Sequence, residues 1–209
     1  MLRSSSGGGS VGTTTLGTNY SGDLIRLVLV NFSGSTTPLL PAGYIDTGSA
    51  SDSTNAFSMR VVRKVSTGSE SFPTFSGVTH LGYIVYSGID AATQITNVLG
   101  QAGSSTTASY SGVTTYPDPG VDWVGLDYVG KVLGGTPTAP TSATSVVDNN
   151  SGGRIVMFDS NGPLSSYSFN TKPVSVTSPW ITKTYVIMGG SSGGSGSGSN
   201  GVSMSFLVF

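Results

Sequence analysis

Residues 23–32 read Asp-Leu-Ile-Arg-Leu-Val-Leu-Val-Asn-Phe, and this stretch decides the fold class of the chain. It is rich in Val, Leu and Ile, and it is followed by the turn residues Ser33, Gly34 and Ser35. A short run of this composition is typical of a strand in a sheet. It is far shorter than the roughly 20 apolar residues that cross a membrane as a helix.

Further runs of the same character follow, and clusters of Gly, Ser, Pro and Asn separate them. These further apolar runs are residues 56–65, 80–86, 121–129, 154–158, 180–188 and 202–209. No window has a sustained helical period, and residues 91–101 are the one helix candidate. We therefore predict an all-β fold, an antiparallel β-sandwich or a jelly-roll-like arrangement. The residues predicted to be buried are the central ones of the runs: Leu27, Val61, Ile84, Leu126, Ile155 and Val186.

A shift of 99 residues aligns the two halves of the chain. Residues 23–41 and 122–140 then share six identities, which include the turns Thr37-Pro38 and Thr136-Pro137. Two interpretations stay open: coincidence among similar strands, or a duplicated unit that builds two faces of one sandwich or two small sandwiches. The predicted organisation is a first β half over 1–100, a second β half over 101–188 in the same or an adjoining sandwich, a Gly/Ser tether over 189–201 and a strand over 202–209.

The composition argues against several classes of function. Charged residues make up 9% of the chain, against roughly 25% in an ordinary soluble domain, and the net charge is −1. Scattered single charges do not form the basic surface that nucleic acid requires, so we expect no nucleic-acid partner. The chain has no cysteine, so it has neither disulfides nor thiolate metal ligands. It shows no signal-peptide pattern and no membrane-spanning run, and we expect no membrane partner.

Four short motifs occur in a recognisable order in the first half. They are Gly22-Asp23-Leu24-Ile25, then Pro41-Ala42-Gly43-Tyr44, then Arg63-Lys64-Val65-Ser66-Thr67-Gly68-Ser69-Glu70, and then Tyr86-Ser87-Gly88-Ile89-Asp90. Together they resemble a β-sandwich module found among structural proteins of tailed bacteriophages. The resemblance covers residues 1–90 well and 121–188 loosely. Tyr44 stands where Trp is common in that group, and the second half shows little beyond its Thr-Pro turn.

The resemblance implies a component of a virus particle, because the group is defined by its occurrence in virion genes and not by a chemistry. We expect a non-enzymatic structural protein, made in the host cytoplasm and located in the virion as a capsid decoration or cement protein. The alternative is a tail, fibre or baseplate protein that binds a host receptor, with a host glycan as a further partner. The expected partners are a second copy of the chain and a major virion structural protein.

The candidate catalytic residues are few, and we interpret each as structural. His80 is the one histidine, and no Gly-x-Ser-x-Gly turn between a strand and a helix accompanies it, since the one at 194–198 is low-complexity repetition. Glu70 is the one glutamate. Asp118, Asp122 and Asp127 flank Trp123 as in a glycosidase cleft, but Asp122 recurs as Asp23 at the equivalent turn. A repeated turn aspartate is expected to accept hydrogen bonds from backbone N–H groups. We therefore predict no catalytic site and no cofactor.

The sequence also contains candidate oxygen ligands for calcium and aromatic residues of the kind that stack on sugars. Asp148-Asn149-Asn150 and Asp159-Ser160-Asn161 offer the oxygen ligands that calcium prefers, yet they are also ordinary turn sequences, and we predict no metal site. Six aromatic residues of the second half could stack on sugars if they were exposed: Tyr110, Tyr116, Trp123, Tyr128, Tyr167 and Trp180. We expect Trp123 and Trp180 to fill the core instead.

The last residues of the sequence carry the clearest candidate for an interface. Residues 189–201 contain only Gly, Ser and Asn, and they lead into the apolar run 202–209. An apolar strand on a flexible tether must pair with a sheet edge to avoid aggregation. We predict that this strand adds to a sheet of its own or a neighbouring subunit, with its alternate side chains facing apolar surface. These interface candidates are Val202, Met204, Phe206 and Val208.

Overall fold

The structure is a computed structural model that describes residues 2–89, 95–113, 122–160, 162–164, 167–168 and 170–189. Within these residues every regular element is a β-strand, and all eight strand pairings are antiparallel. The predicted all-β antiparallel class is therefore confirmed.

The first half of the chain forms one five-stranded sheet. Its strands are β1 (Leu2–Ser10), β2 (Leu24–Asn31), β3 (Ile45–Asp52), β4 (Phe57–Val65) and β5 (His80–Ser87). They lie side by side in the order β1-β5-β2-β4-β3, so the apolar strand β2 occupies the centre.

The second half forms the other five-stranded sheet. Its strands are β6 (Ile95–Tyr110), β7 (Trp123–Gly130), β8 (Ala143–Asn150), β9 (Arg154–Ser160) and β10 (Asn170–Ile187). Their order is β6-β10-β7-β9-β8, which places β7 at the centre. Since each sheet takes its strands from one half of the chain, a jelly-roll connectivity is not confirmed.

The two sheets have the same strand order when each strand of the first half is matched to the fifth strand after it. The central strands β2 and β7 lie 99 residues apart at both ends. Each sheet also has a bulge at the matching place on an edge strand, between Asp46 and Gly48 in β3 and between Ser145 and Val147 in β8. These positions again differ by 99. That the halves arose by duplication stays a prediction, which the shared order and bulge favour.

The two sheets pack face to face around one apolar core. Alternate residues of β2, such as Leu24 and Val28, lie in this core with Val129 of β7 and Ile155 of β9. All are fully buried. The halves therefore share one sandwich and do not form two separate ones.

The outer face of each sheet is covered as well. In the first sheet Ile25, Leu27 and Leu29 of β2 pack under residues of the loops, Val11, Leu16, Phe72, Phe75 and Val78. In the second sheet Leu126 of β7 lies in a cluster that includes Tyr110 and Val174 from the far ends of β6 and β10. Because the central strands are buried on both faces, they read as continuous apolar runs and not as alternating ones.

The structure confirms the predicted core and corrects several strands. Leu27, Val61, Ile84, Leu126, Ile155 and Val186 are all 0% exposed. The helix candidate 91–101 was wrong over its described part, since residues 95–101 belong to β6. The expected boundary at residue 100 falls inside β6, so the chain changes sheet between Ser87 and Ile95. Apart from Gly189, the tether and the strand 202–209 lie outside the described residues.

Candidate functional site

A cluster of charged side chains lies at the centre of the sandwich. Arg26 of β2 points from the first sheet into the core, where its Nη2 lies 3.2 Å from Oδ1 of Asp127 in β7. Its Nη1 lies 3.7 Å from Oδ1 of Asp159 in β9. The three side chains are at most 1% exposed. One buried cation thus faces two carboxylates of the opposite sheet.

Two tyrosines complete this central cluster. The Tyr86 hydroxyl donates to Oδ1 of Asp159 over 2.5 Å, and the Tyr185 hydroxyl donates to Oδ2 of Asp127 over 2.6 Å. The Arg26 guanidinium carbon also lies 5.6 Å from the Tyr86 ring centroid and 4.9 Å from that of Tyr185. The carboxylates therefore receive both a charge and hydroxyl donors, as buried ions require.

Gly125 makes room for the central guanidinium. A Cβ on this residue would lie 2.4 Å from Arg26 Nη1 and 2.4 Å from the Tyr185 ring. Gly125 is the residue 99 positions after Arg26. The two sheets thus carry complementary residues at matching places, a long cation on one and a missing side chain on the other.

The electrostatics of the cluster follow from its burial. Burial raises the pKa of the Asp127 carboxyl, while Arg26 and the Tyr185 hydroxyl act in the opposite direction. Burial likewise raises the pKa of the Tyr86 and Tyr185 hydroxyls well above their ordinary value. Because these groups lie beyond the reach of solvent, the cluster joins the two sheets and offers no place for a substrate.

His80 lies at the start of β5 and is part of a contact between the halves. Its Nε2 lies 3.1 Å from the Ser10 hydroxyl and 3.4 Å from the Ser151 hydroxyl. Its ring packs edge-on against Phe32. Burial lowers the pKa of His80, which favours the neutral imidazole. Nδ1 has no hydrogen-bond partner among the described residues, so no carboxylate orients the ring as in a catalytic triad.

The other carboxylate candidates also make structural contacts. Glu70 accepts from Lys64 Nζ over 2.6 Å and from the Thr67 backbone N–H over 3.0 Å. Asp23 accepts from the backbone N–H of Tyr20, and Asp122 accepts from that of Gly189. The prediction that the repeated aspartates accept backbone N–H groups is confirmed.

The glycosidase arrangement does not form among the described residues. Asp122 and Asp127 are both 0% exposed, which leaves no room for a sugar between them. Asp118 lies outside the described residues.

Most of the calcium candidates make protein contacts, although Asn149 Oδ1 has no hydrogen-bond partner among the described residues. Asp148 pairs with Arg154 over 2.5 Å, and Asn150 accepts from the Gly134 backbone N–H. Asp159 belongs to the central cluster, and Ser160 donates to the Gly162 carbonyl. Asn161 lies outside the described residues. Within the described ranges no three His, Cys, Asp or Glu side chains form a group that could hold a metal ion.

Most of the aromatic candidates are inside the protein. Tyr110, Tyr128, Tyr167 and Trp180 are at most 5% exposed and pack in the outer cluster of the second sheet. Trp123 is half-buried against the central core. Tyr116 lies outside the described residues. The four buried rings are not available to stack on a sugar. Trp180 fills the core as predicted, whereas Trp123, expected there too, is only partly buried.

The surfaces that remain for a partner are strand edges and a few apolar side chains. The four edge strands are β1 and β3 in the first sheet and β6 and β8 in the second. Among the described residues, the most exposed large apolar ones are Tyr20, Leu39, Leu133 and Ile45, each more than half exposed. The interface candidates Val202, Met204, Phe206 and Val208 lie outside the described residues.

Comparison of the chain with protein-family models, with curated proteins and with solved structures finds no match. No helix in the described part of the chain is long and apolar enough to cross a membrane.

Sequence reasoning missed the central cluster, although its signal is visible in retrospect. Arg26 is the one charged residue inside the apolar run of β2, and Asp127 is the one inside that of β7. A charge within a doubly buried strand requires a partner. Their pairing could not be predicted, since it depends on how the two sheets face each other.

Proposed function

We propose that this chain is a non-enzymatic structural protein of a tailed-phage virion, located on the capsid as a decoration or cement protein. The observation that carries the proposal is the use of the reactive side chains within the fold. His80, Glu70, Asp122 and Asp127, the candidates for catalysis, each hold two segments of this chain together. They act as structural contacts and not as a reaction centre.

The construction of the sandwich supports a mechanical role. Besides the central cluster, Lys131 of the β7–β8 connection donates to the backbone carbonyls of Phe32 and Ala56 in the other half. Lys183 of β10 donates to the Ser49 carbonyl of β3 over 3.2 Å. These cross-sheet contacts resist separation of the sheets, as a shell component under load requires.

The scarcity of free charge supports assembly through backbone and apolar contacts. In the described part of the chain, three surface ion pairs form within the chain: Lys64–Glu70, Arg60–Asp46 and Arg154–Asp148. A partner would therefore meet strand edges and apolar side chains. The strand 202–209, with Val202, Met204, Phe206 and Val208 on one face, is the proposed attachment element to a second copy or to a major virion protein.

The alternative is a tail, fibre or baseplate protein that binds a host glycan. The burial of Tyr110, Tyr128, Tyr167 and Trp180 weighs against glycan stacking by this part of the chain. We therefore favour the capsid.

Deletion of residues 190–209 tests the proposed attachment. The variant is expected to keep the unfolding midpoint of the full chain and to be lost from particles purified from the phage that encodes it. Cryo-electron microscopy of particles with and without the chain should show the missing density on the capsid surface. Missing density on the tail would support the alternative, and full incorporation of the deletion variant would contradict the proposed attachment.

A further inference from the structure

We infer that the outer edge of β6 accepts residues 202–209 of a second copy of this chain as an added antiparallel strand. The inference rests on the proposed role in assembly, to which it adds the acceptor and the partner. It does not depend on where in the virion the protein lies.

β6 has the edge most open to pairing. It is an outermost strand of its sheet, and residues 95–110 contain no charged residue and no proline. From Leu99 to Ser105 it pairs with Thr184 to Ser178 of β10 in unbroken register. Within that stretch Leu99, Gly100, Gln101, Ala102 and Ser104 are exposed. A regular, uncharged and exposed edge is a template for another strand.

The edges of the first sheet have features that oppose pairing. β3 is bulged between Asp46 and Gly48 and carries carboxylates at Asp46 and Asp52. β1 is interrupted between Arg3 and Ser5, and the Ser5 hydroxyl donates to the Thr18 carbonyl of the adjoining loop. Bulges and charges are the means by which native proteins protect edge strands.

The edge of β8 is protected in the same way. It is bulged between Ser145 and Val147, and it carries the Asp148–Arg154 ion pair. It also adjoins β1, since a Cβ on Gly8 would lie 3.0 Å from the Val147 side chain. β3 approaches β6 near Val98, where a Cβ on Gly48 would lie 3.4 Å from that side chain. The stretch from Leu99 to Ser105 continues past this contact.

The strand 202–209 matches this edge in length and chemistry. It has eight uncharged residues, against the seven from Leu99 to Ser105, and its apolar residues alternate with serine over 202–206. Gly103 faces the Trp180 ring on the outer side of the sheet, since its Cβ would lie 2.6 Å from that ring. Ala102 and Ser104 therefore face the inner side, where Val98 of the same strand packs on the core. The apolar face of the added strand would extend the core on that side.

The reach of the tether favours a second copy over the same chain. An antiparallel strand on β6 with Val202 on the inner side begins beside Ser104, whose partner Pro179 lies 10 residues before Gly189. That separation is about 34 Å at about 3.4 Å per residue. The 12 residues from 190 to 201 span at most about 41 Å, and as a Gly/Ser coil their mean reach is only about 19 Å. Pairing within one chain would need a nearly straight tether, whereas pairing between copies would not.

Cysteine cross-linking tests the inference. Because the chain has no native cysteine, every disulfide must form between introduced thiols. A purified full-length chain with Ala102→Cys is mixed with chains carrying Val202→Cys, Met204→Cys or Phe206→Cys, and the mixtures are oxidised mildly. Two cysteines directly opposite each other on adjacent strands have Cβ atoms about 4.5–5.5 Å apart, close to the roughly 3.5–4.5 Å that a disulfide needs. At least one of these mixtures is expected to give a mixed disulfide between copies, identified by mass.

Matched controls separate a specific strand pairing from random collision. Ser203→Cys and Ser205→Cys place the thiol on the opposite face, and they should give at least fivefold less mixed disulfide with Ala102→Cys. Ser51→Cys on the protected edge of β3 should give a similarly low yield with the tail variants. All variants should keep the native unfolding midpoint.

Equal yields on β3 and β6, or no mixed disulfide with Ala102→Cys, would overturn the inference. So would a doubly substituted Ala102→Cys, Met204→Cys chain that closes only within one copy at every concentration. Any of these results would leave the virion role standing, since that role is tested by the particle and not by the purified chain.

Discussion

Arg26 of β2 and Asp127 of β7 form an ion pair across the two sheets, with 3.2 Å between Nη2 and Oδ1 and no exposure of either side chain. In sequence they are 101 residues apart. The pair joins the two halves at the centre of the shared core, so the stability of each sheet depends on the other.

Replacement of Arg26 by Met should destabilise the protein by about 3–5 kcal/mol at neutral pH, since it leaves Asp127 and Asp159 buried without their cation. Urea unfolding measures this loss. Arg60→Met is the control, because its partner Asp46 is 37% exposed and such a pair contributes at most about 1 kcal/mol. Equal losses in the two variants would contradict the importance of the buried pair.

The stability of the Arg26→Met variant should depend on pH differently from that of the native protein. Burial raises the pKa of Asp127 above its unfolded value, and removal of Arg26 should raise this pKa further. A carboxyl with a raised folded pKa favours the folded state at low pH, and this contribution is lost as pH rises through that pKa. The stability deficit of Arg26→Met against the native protein should therefore narrow as the pH falls from 7 towards 4. A stability deficit that stays the same from pH 7 to pH 4 would contradict this prediction.

Gly125→Ala should also be destabilising, because the new Cβ would meet both Arg26 and Tyr185 at 2.4 Å. Overpacking of this kind costs about 1–3 kcal/mol. Gly34→Ala is the matched control: a Cβ there meets only Asn31 at 3.7 Å, and its unfolding midpoint should stay close to native. A native midpoint for Gly125→Ala would mean that the guanidinium lies elsewhere.

The stability contribution of Glu70 should depend on pH in the opposite direction to that of Asp127. Hydrogen bonds from Lys64 and Thr67 lower the pKa of Glu70 from the ordinary 4.5 to about 2. A depressed folded pKa contributes stability above the unfolded pKa, and this contribution is lost as the pH falls from about 4.5 through about 2. Glu70→Gln should thus be less stable than the native protein at pH 7 and equally stable near pH 2. Urea midpoints at several pH values measure the difference, and a gap that persists at pH 2 would contradict it.

Attachment to the particle should resist salt. Surface ion pairs contribute little each, and the charged pairs Lys64–Glu70 and Arg154–Asp148 lie within this chain. Backbone and apolar contacts are not screened as ion pairs are. Washing purified particles in about 1 M NaCl, where the Debye length is about 3 Å, should leave the protein bound. Its release by moderate salt alone would show that ion pairs hold it.

The sequence was sufficient for the class of the fold and its core, because the apolar runs around Leu27 and Leu126 are clear. It was insufficient for the edge strands. β1 is mostly Ser and Gly, and β6 mixes Gly, Ser and Thr, so neither shows the alternation of a half-buried strand. Their pairing comes from neighbours distant in the chain, which local propensity does not report.

The candidate sites divide in the same way. The turn role of Asp23 was predictable, because its acceptor bond from the Tyr20 N–H is local. That Asp122 accepts a backbone N–H was also predictable, but its donor Gly189 is 67 residues away and was not. The roles of Asp127 and Asp159 were not predictable, since both depend on Arg26 reaching across from the other sheet. The only sign of a long-range ion pair in the sequence is a charged residue inside an apolar run, which does not identify its partner.

The most direct test of the structural role is the number of copies of this chain in purified phage particles, measured by mass spectrometry against isotope-labelled standards. A capsid decoration protein occupies many symmetry-equivalent positions, whereas a tail or baseplate offers few. We predict a copy number comparable to that of the major capsid protein or a simple fraction of it. A copy number that matches the tail proteins would support the alternative location in the tail. Absence of this protein from particles that contain all their other structural proteins would contradict the proposal.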